Sequence, residues 1–125
     1  MKILLVDDSM LIRNVQKKFL EGNPSVQFFE AADGVEALSV LTQSGPMDLA
    51  LVDWNMPNMD GHTLVKKIRE TDKKILLIMC TTEAEKPRVM EALKAGVNNY
   101  LVKPFTGDAL IEKVQSTIKR AKQTI

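Results

Sequence analysis

A chain of 125 residues, 45% hydrophobic and 26% charged, has room for one compact domain with its own core and little beyond it. Its formal net charge of +1 gives no global attraction to nucleic acid or anionic lipid, so neither is expected as a partner and any partner is selected by a local patch. The early apolar stretch Ile3-Leu4-Leu5-Val6 is too short for a signal segment or a spanning helix and runs into two aspartates, which predicts a cytoplasmic protein.

The first predicted strand, Lys2 to Asp7, is a near-continuous apolar run that ends in Asp7 and Asp8. Ser9 is placed to cap the helix that follows, whose apolar residues Ile12, Val15 and Phe19 recur at helical spacing before Gly22-Asn23-Pro24 closes it. Val26 to Ala31 is the second strand. Asp33 and Glu36 have the spacing of a capping box for a helix carrying Val35, Leu38 and Leu41, which Gly45-Pro46 ends. A third strand runs from Asp48 to Asp53, and a third helix carries Leu64, Val65 and Ile68. Ile75 to Thr81 is the fourth strand, and within it the single Cys80 reads as a small buried hydrophobe without a redox role. Thr82 and Glu85 have capping-box spacing before a helix with Val89 and Leu93, and Gly96 sits where a left-handed C-terminal residue is wanted. Asn99 to Lys103 is the last strand, followed by a helix marked by Leu110, Val114, Ile118 and Ala121. Five strand-helix units with both strand faces covered make a doubly wound α/β domain on a parallel sheet, spanning residues 1–125 without an internal linker.

Four of the strands end in residues that handle phosphate or metal: Asp7-Asp8, Asp53, Thr81 and Lys103. In a parallel sheet the carboxyl ends share one edge, so three carboxylates, a hydroxyl and an ammonium converge in one crevice. Two carboxylates ~5 Å apart at an effective dielectric of ~20 repel by about 3 kcal/mol, so a cation has to offset them. Mg²⁺, which takes a few carboxylate and carbonyl oxygens together with water and phosphate oxygens, suits such an edge, and Lys103 adds a fixed positive charge. An aspartate so placed can attack phosphorus and hold the group as an acyl phosphate, and Asp53 is the expected nucleophile.

Asp7-Asp8, the run Asp53-Trp54-Asn55-Met56-Pro57-Asn58-Met59-Asp60-Gly61, Thr81 and Lys103-Pro104-Phe105 resemble the signature of response-regulator receiver domains, and within them the chemotaxis regulators, over the whole chain. The resemblance implies the flavodoxin-like strand order 2-1-3-4-5. It implies that Asp53 accepts a phosphoryl group from a histidine kinase, that Asp8, Asp53 and the backbone carbonyl of Asn55 ligate Mg²⁺, and that Asp7 acts through metal-bound water. Thr81 and Lys103 then resemble the pair that binds the phosphoryl oxygens, Tyr100 the aromatic that follows the switch hydroxyl, and Lys103-Pro104 a cis peptide. Phosphorylation is expected to change the affinity of the face built from the fourth helix, fifth strand and fifth helix for a downstream protein, with the flagellar motor switch as the analogous target and a phosphatase as a further partner. Asn55 and Glu83 resemble the pair that speeds loss of the phosphoryl group. The expected product is a stand-alone switch that is not a conventional enzyme; the alternative is a receiver cut from a longer regulator with an output domain.

Singly, each residue has a plainer reading: Asp7-Asp8 and Asp53 as caps, Thr81 as a satisfied strand-end hydroxyl. Their joint occurrence on one edge favours the site. Gly61 is assigned to backbone conformation. His62 is expected to face solvent, Trp54 to line the pocket rim, the methionines at 56, 59, 79 and 90 to pack, and Lys113, Lys119, Arg120 and Lys122 to form a solvated helix face. A haloacid-dehalogenase-like phosphatase would need Asp-x-Asp after the first strand and a cap insertion. A flavin-binding domain would need a Ser/Thr/Gly-rich loop where Asp8-Ser9-Met10-Leu11 stands, and that loop repels phosphate.

Overall fold

In the computed structural model, which describes residues 1–22 and 25–123, strands and helices alternate along the whole chain. They are β1 (Lys2–Val6), α1 (Met10–Leu20), β2 (Gln27–Ala31), α2 (Gly34–Ser44), β3 (Leu49–Val52), α3 (Gly61–Thr71), β4 (Leu76–Thr81), α4 (Lys86–Ala95), β5 (Asn99–Val102) and α5 (Gly107–Gln123). All strand pairings are parallel and the order is β2-β1-β3-β4-β5, as expected from the resemblance. Every strand is shorter than its apolar run predicts: Asp7, Asp53 and Lys103 fall past the carboxyl ends of β1, β3 and β5, and Val26, Asp48 and Ile75 precede the amino ends of β2, β3 and β4.

Alternation along the strands separates two cores. Leu4, Val6, Ala50, Val52, Leu77 and Met79 face one side and pack with Leu64, Val65 and Ile68 of α3 and Ala37 of α2. Ile3, Leu5, Leu49, Leu51, Ile78 and Cys80 face the other and pack with Leu110 and Val114 of α5. The sheet is therefore apolar on both faces, which is why its sequence reads as continuous hydrophobic runs and not as polar-apolar alternation. Truncating a fully buried central residue such as Leu51 to Ala would cost about 2–5 kcal/mol.

Helix ends follow the expected chemistry at most places. The Ser9 hydroxyl accepts from the Ile12 amide, Asp33 from Glu36 and Asp60 from Thr63. Gly45 and Gly96 take positive φ at the ends of α2 and α4. The expected Thr82/Glu85 capping box does not form. Glu85 is the N-terminal cap residue, makes no side-chain cap bond, and is followed by Pro87 in the first turn, where a missing amide does no harm. The expected turn at Asn23-Pro24 lies outside the described residues.

Register delivers the site. Val6 pairs with Val52, and the next residues, Asp7 and Asp53, stand side by side, with the Asp53 amide donating to the Val6 carbonyl at 2.9 Å. Thr81 pairs with Val102, so Lys103 is the next residue on the neighbouring strand, its amide 2.8 Å from the Thr81 carbonyl. Because β1 leads outward to β2 and β3 leads the opposite way to β4, the crevice at their carboxyl ends is the topological switch point where doubly wound sheets bind ligands.

Candidate functional site

Asp7, Asp8 and Asp53 bring carboxylate oxygens within 4.8 Å of one another. Asp7 and Asp53 are buried, at 1% and 8% exposure, and Asp8 is open to solvent. Asp7 is held from several sides. Its Oδ1 accepts the Ser9 amide at 2.9 Å, its Oδ2 lies 2.5 Å from Lys103 Nζ, and its backbone carbonyl accepts from the Arg13 guanidinium, which is itself paired with Glu30 at 3.0 Å. Asp53 accepts the Trp54 amide on Oδ1 at 2.8 Å and has Oδ2 3.3 Å from Lys103 Nζ.

One ammonium thus serves two buried carboxylates, and the third faces solvent. Burial raises the Asp53 carboxyl above its ordinary range; Lys103 opposes the shift, Asp7 adds to it, and the hydrogen bond from Thr81 opposes it again. Burial alone would lower the Lys103 ammonium, but the hydrogen bond to Asp7 and the charges of Asp53 and Asp7 outweigh it and hold the group above its ordinary value. The donor set, three hard oxygen ligands with one cation against them, keeps a net negative charge and fits a hard divalent cation.

A relay of polar contacts leaves the crevice. The Thr81 hydroxyl is fully buried beside Asp53, whose carboxyl it helps to lower, and it accepts the Glu83 amide at 3.3 Å. The Glu83 carbonyl accepts from the Tyr100 hydroxyl at 2.6 Å, and Glu83 Oε1 accepts from Asn55 Nδ2 at 3.1 Å. Asn55, Thr81, Glu83 and Tyr100 therefore form one connected set running from Asp53 to the β4–α4 loop and β5. The Lys103-Pro104 peptide is cis, as the resemblance implies.

Several placements differ from the sequence reading. Trp54 is buried, at 4% exposure, and belongs to the core and not to the pocket rim. The Gly61 amide bonds the Trp54 carbonyl, and the indole joins the core cluster that holds Leu64 and Val65 of α3. His62 is half-buried instead of solvent-facing: its ring stacks on Trp54 with centroids 5.1 Å apart and planes 5° from parallel. The Arg88 guanidinium lies 5.0 Å from the same indole. Met90 does not pack: it is 47% exposed, and Leu93 on the same helix and Val102 of β5 are exposed apolar residues too. Arg13 was missed because its partners, Glu30 and the Asp7 carbonyl, meet only through the β1–β2 pairing. Asn58, at φ 67° with its amide 2.7 Å from Asp33, also gave no sequence signal beyond a turn-forming residue type.

Residues 3–115 match the response regulator receiver domain family, and the chain belongs to it. It is the receiver domain of a two-component response regulator, a class of phosphorylation-controlled regulators that accept phosphoryl groups from histidine kinases and bind downstream targets. Among its relatives are a chemotaxis protein CheY homolog of Campylobacter jejuni, 46% identical over 94% of this chain and 92% of that protein, and the chemotaxis protein CheY1 of Helicobacter pylori, 47% identical over 92% and 94%. The solved structure of Vibrio cholerae chemotaxis protein CheY4 superposes with a TM-score of 0.84 at 35% identity, over 93% of this chain and 97% of that one. Among the described residues no helix is long and apolar enough to cross a membrane.

Proposed function

We propose that Asp53 is the phosphoacceptor and that its phosphorylation is read out on the face carrying α4, β5 and α5. The observation that carries this reading is the shared ammonium: Lys103 Nζ sits 2.5 Å from Asp7 and 3.3 Å from Asp53, so a cation stands beside the nucleophile where charge develops on a transferring phosphoryl group. A carboxylate oxygen of Asp53 attacks the phosphorus of the kinase's phosphohistidine; the P–O bond forms as the P–N bond breaks, and the bonding pair returns to the imidazole. The raised carboxyl makes Asp53 a more basic nucleophile than a surface aspartate. Asp8, Asp53 and the Asn55 carbonyl would hold Mg²⁺, with Asp7 acting through water, and the bound ion would supply further charge neutralisation at the phosphoryl oxygens.

Thr81 and Lys103 bind the phosphoryl oxygens of the product, and the Thr81 hydroxyl moves toward them. That movement releases the Glu83 amide, and Tyr100, tied to the Glu83 carbonyl, follows. The exposed Met90, Leu93 and Val102 lie on the elements this shift reaches and belong to the face a target meets. Asn55 and Glu83 position water for loss of the group. The chemotaxis relatives support a cytoplasmic CheY-like role, with the flagellar motor switch as target and a phosphatase as a further partner.

The test is labelling. With Mg²⁺ and acetyl phosphate, peptide mass spectrometry is expected to place one phosphoryl group on Asp53 and none in Asp53→Asn; undiminished labelling of the variant would remove Asp53 from this role.

A further inference from the structure

Away from the phosphoryl site, α3 and α4 flank a shallow, open groove of about 420 Å³. His62, Lys66, Arg69 and Lys73 line one wall, and Glu91 and Lys94 belong to the other. With Glu70 included, four permanent cations face two carboxylates, and Glu91 is already paired with Arg88 at 3.8 Å. Lys66, Lys73 and Lys94 have no ion-pair partner among the described residues. Arg69 is fixed differently: its guanidinium donates to the carbonyls of Gly96 and Asp72 and to the Asn98 side chain at 2.9–3.1 Å, which anchors a charge in the groove at no further cost in side-chain ordering.

Spacing adds to charge. His62, Lys66 and Arg69 stand at i, i+4 and i+7 of α3, a row roughly 10 Å long that Lys73 continues past the helix end. Steps of about 4.5–6 Å along that row fall a little short of the roughly 6.6 Å repeat of alternate side chains on an extended chain, a gap that flexible Lys side chains span. We propose that this groove docks an extended acidic polypeptide segment with carboxylates at alternate residues. Lys66, Arg69, Lys73 and Lys94 select for charge and spacing together, and the groove's length takes about five residues. Occupancy has a built-in reporter, because His62 both lines the groove and stacks on Trp54, the sole tryptophan.

The test uses the full chain at low salt without a phosphodonor, so its outcome is separate from the reading of Asp53. A blocked (Glu-Thr)5 peptide is titrated by calorimetry and by Trp54 fluorescence. One saturable site is expected, with a fluorescence change and affinity that weakens with salt. Lys66→Glu/Lys94→Glu should weaken binding by about tenfold or more, while Lys113→Glu/Lys119→Glu on α5 should stay within about twofold. If the reversal variant does not fold by circular dichroism, Lys66→Gln/Lys94→Gln carries the same comparison with a smaller expected loss. Equal losses in the α3–α4 and α5 variants, equal affinity for a peptide of the same composition with its glutamates in one block, or tighter binding of an RNA oligonucleotide or polyphosphate of matched charge would each overturn the proposal.

Discussion

Gly61 and Asp53 meet backbone to backbone: a Cβ on Gly61 would collide with the Asp53 carbonyl oxygen and crowd the Trp54 backbone. The glycine that opens α3 is thus the device that lets the loop fold under the acceptor. Backbone atoms cannot retreat as a side chain can, so Gly61→Ala should destabilise the protein by about 1–3 kcal/mol and slow phosphorylation. Gly22→Ala, with nothing near its Cβ, should stay within about 0.5 kcal/mol. Urea unfolding of the two variants measures the difference, and equal midpoints would show that the loop yields.

Asp53 makes stability depend on pH with a definite sign. Its folded carboxyl is raised above the ordinary value of 3.8, so folding favours the protonated form. That contribution is fully present below the unfolded pKa and is lost as pH rises through the higher folded one. In EDTA, wild type should therefore lose stability relative to Asp53→Asn as pH climbs from about 4 toward neutrality. Parallel melting curves across that window would refute it.

Removal of the three carboxylates should not be equivalent, because Asp7 binds both Lys103 and the Ser9 amide, Asp53 shares Lys103 at the longer distance of 3.3 Å, and Asp8 is exposed. Asp7→Ala should destabilise the metal-free protein, and Asp8→Ala should leave it unchanged or slightly more stable. Mg²⁺ at a hundredfold excess over its dissociation constant should stabilise wild type by about 2.7 kcal/mol and do little for Asp8→Ala. Thermal melts with EDTA or Mg²⁺ separate the cases; a full Mg²⁺ gain in Asp8→Ala would take that residue out of the metal site.

Cys80 should be chemically silent. Burial pushes its thiol up to about 12, with the nearby Lys103 charge only partly opposing. Iodoacetamide at pH 8 should leave the native protein unmodified and label it only in urea; fast labelling of the folded form would mean that the α1–β4 packing opens locally.

What the sequence disclosed follows from what was local. Apolar runs ending in Asp7, Asp53, Thr81 and Lys103 revealed both the parallel sheet and its functional edge, since strand ends and chemistry coincide there. The strand order was not in the periodicity and came from the motif resemblance. Trp54 was misplaced because adjacency to Asp53 suggested the rim, whereas its indole is buried in the core cluster, and His62, expected to face solvent at the start of a helix, stacks on that indole instead. The Thr82/Glu85 spacing misled for a related reason: Pro87 in the first turn of α4 sets the helix start later. Arg13, Asn58 and Arg88 act through partners distant in sequence, which no local pattern reports.

The lifetime of the phosphorylated state should depend on Asn55, whose amide is tied to Glu83 at the mouth of the crevice. Asn55→Lys replaces a water-orienting group with a bulky cation, so decay should slow by about tenfold. Unchanged or faster decay would detach Asn55 from hydrolysis.

A phosphoryl group on Asp53 is expected to move Tyr100 and to reach the exposed apolar residues Met90 and Leu93 of α4 and Val102 of β5. Backbone amide NMR of wild type and Asp53→Asn, before and after acetyl phosphate with Mg²⁺, addresses it directly. Wild type should show shifts at Thr81, Glu83 and Tyr100 that extend to Met90, Leu93 and Val102, and Asp53→Asn should show none of them. Shifts confined to residues around Asp53, or the same pattern in both proteins, would show that Asp53 phosphorylation does not drive Tyr100 and α4.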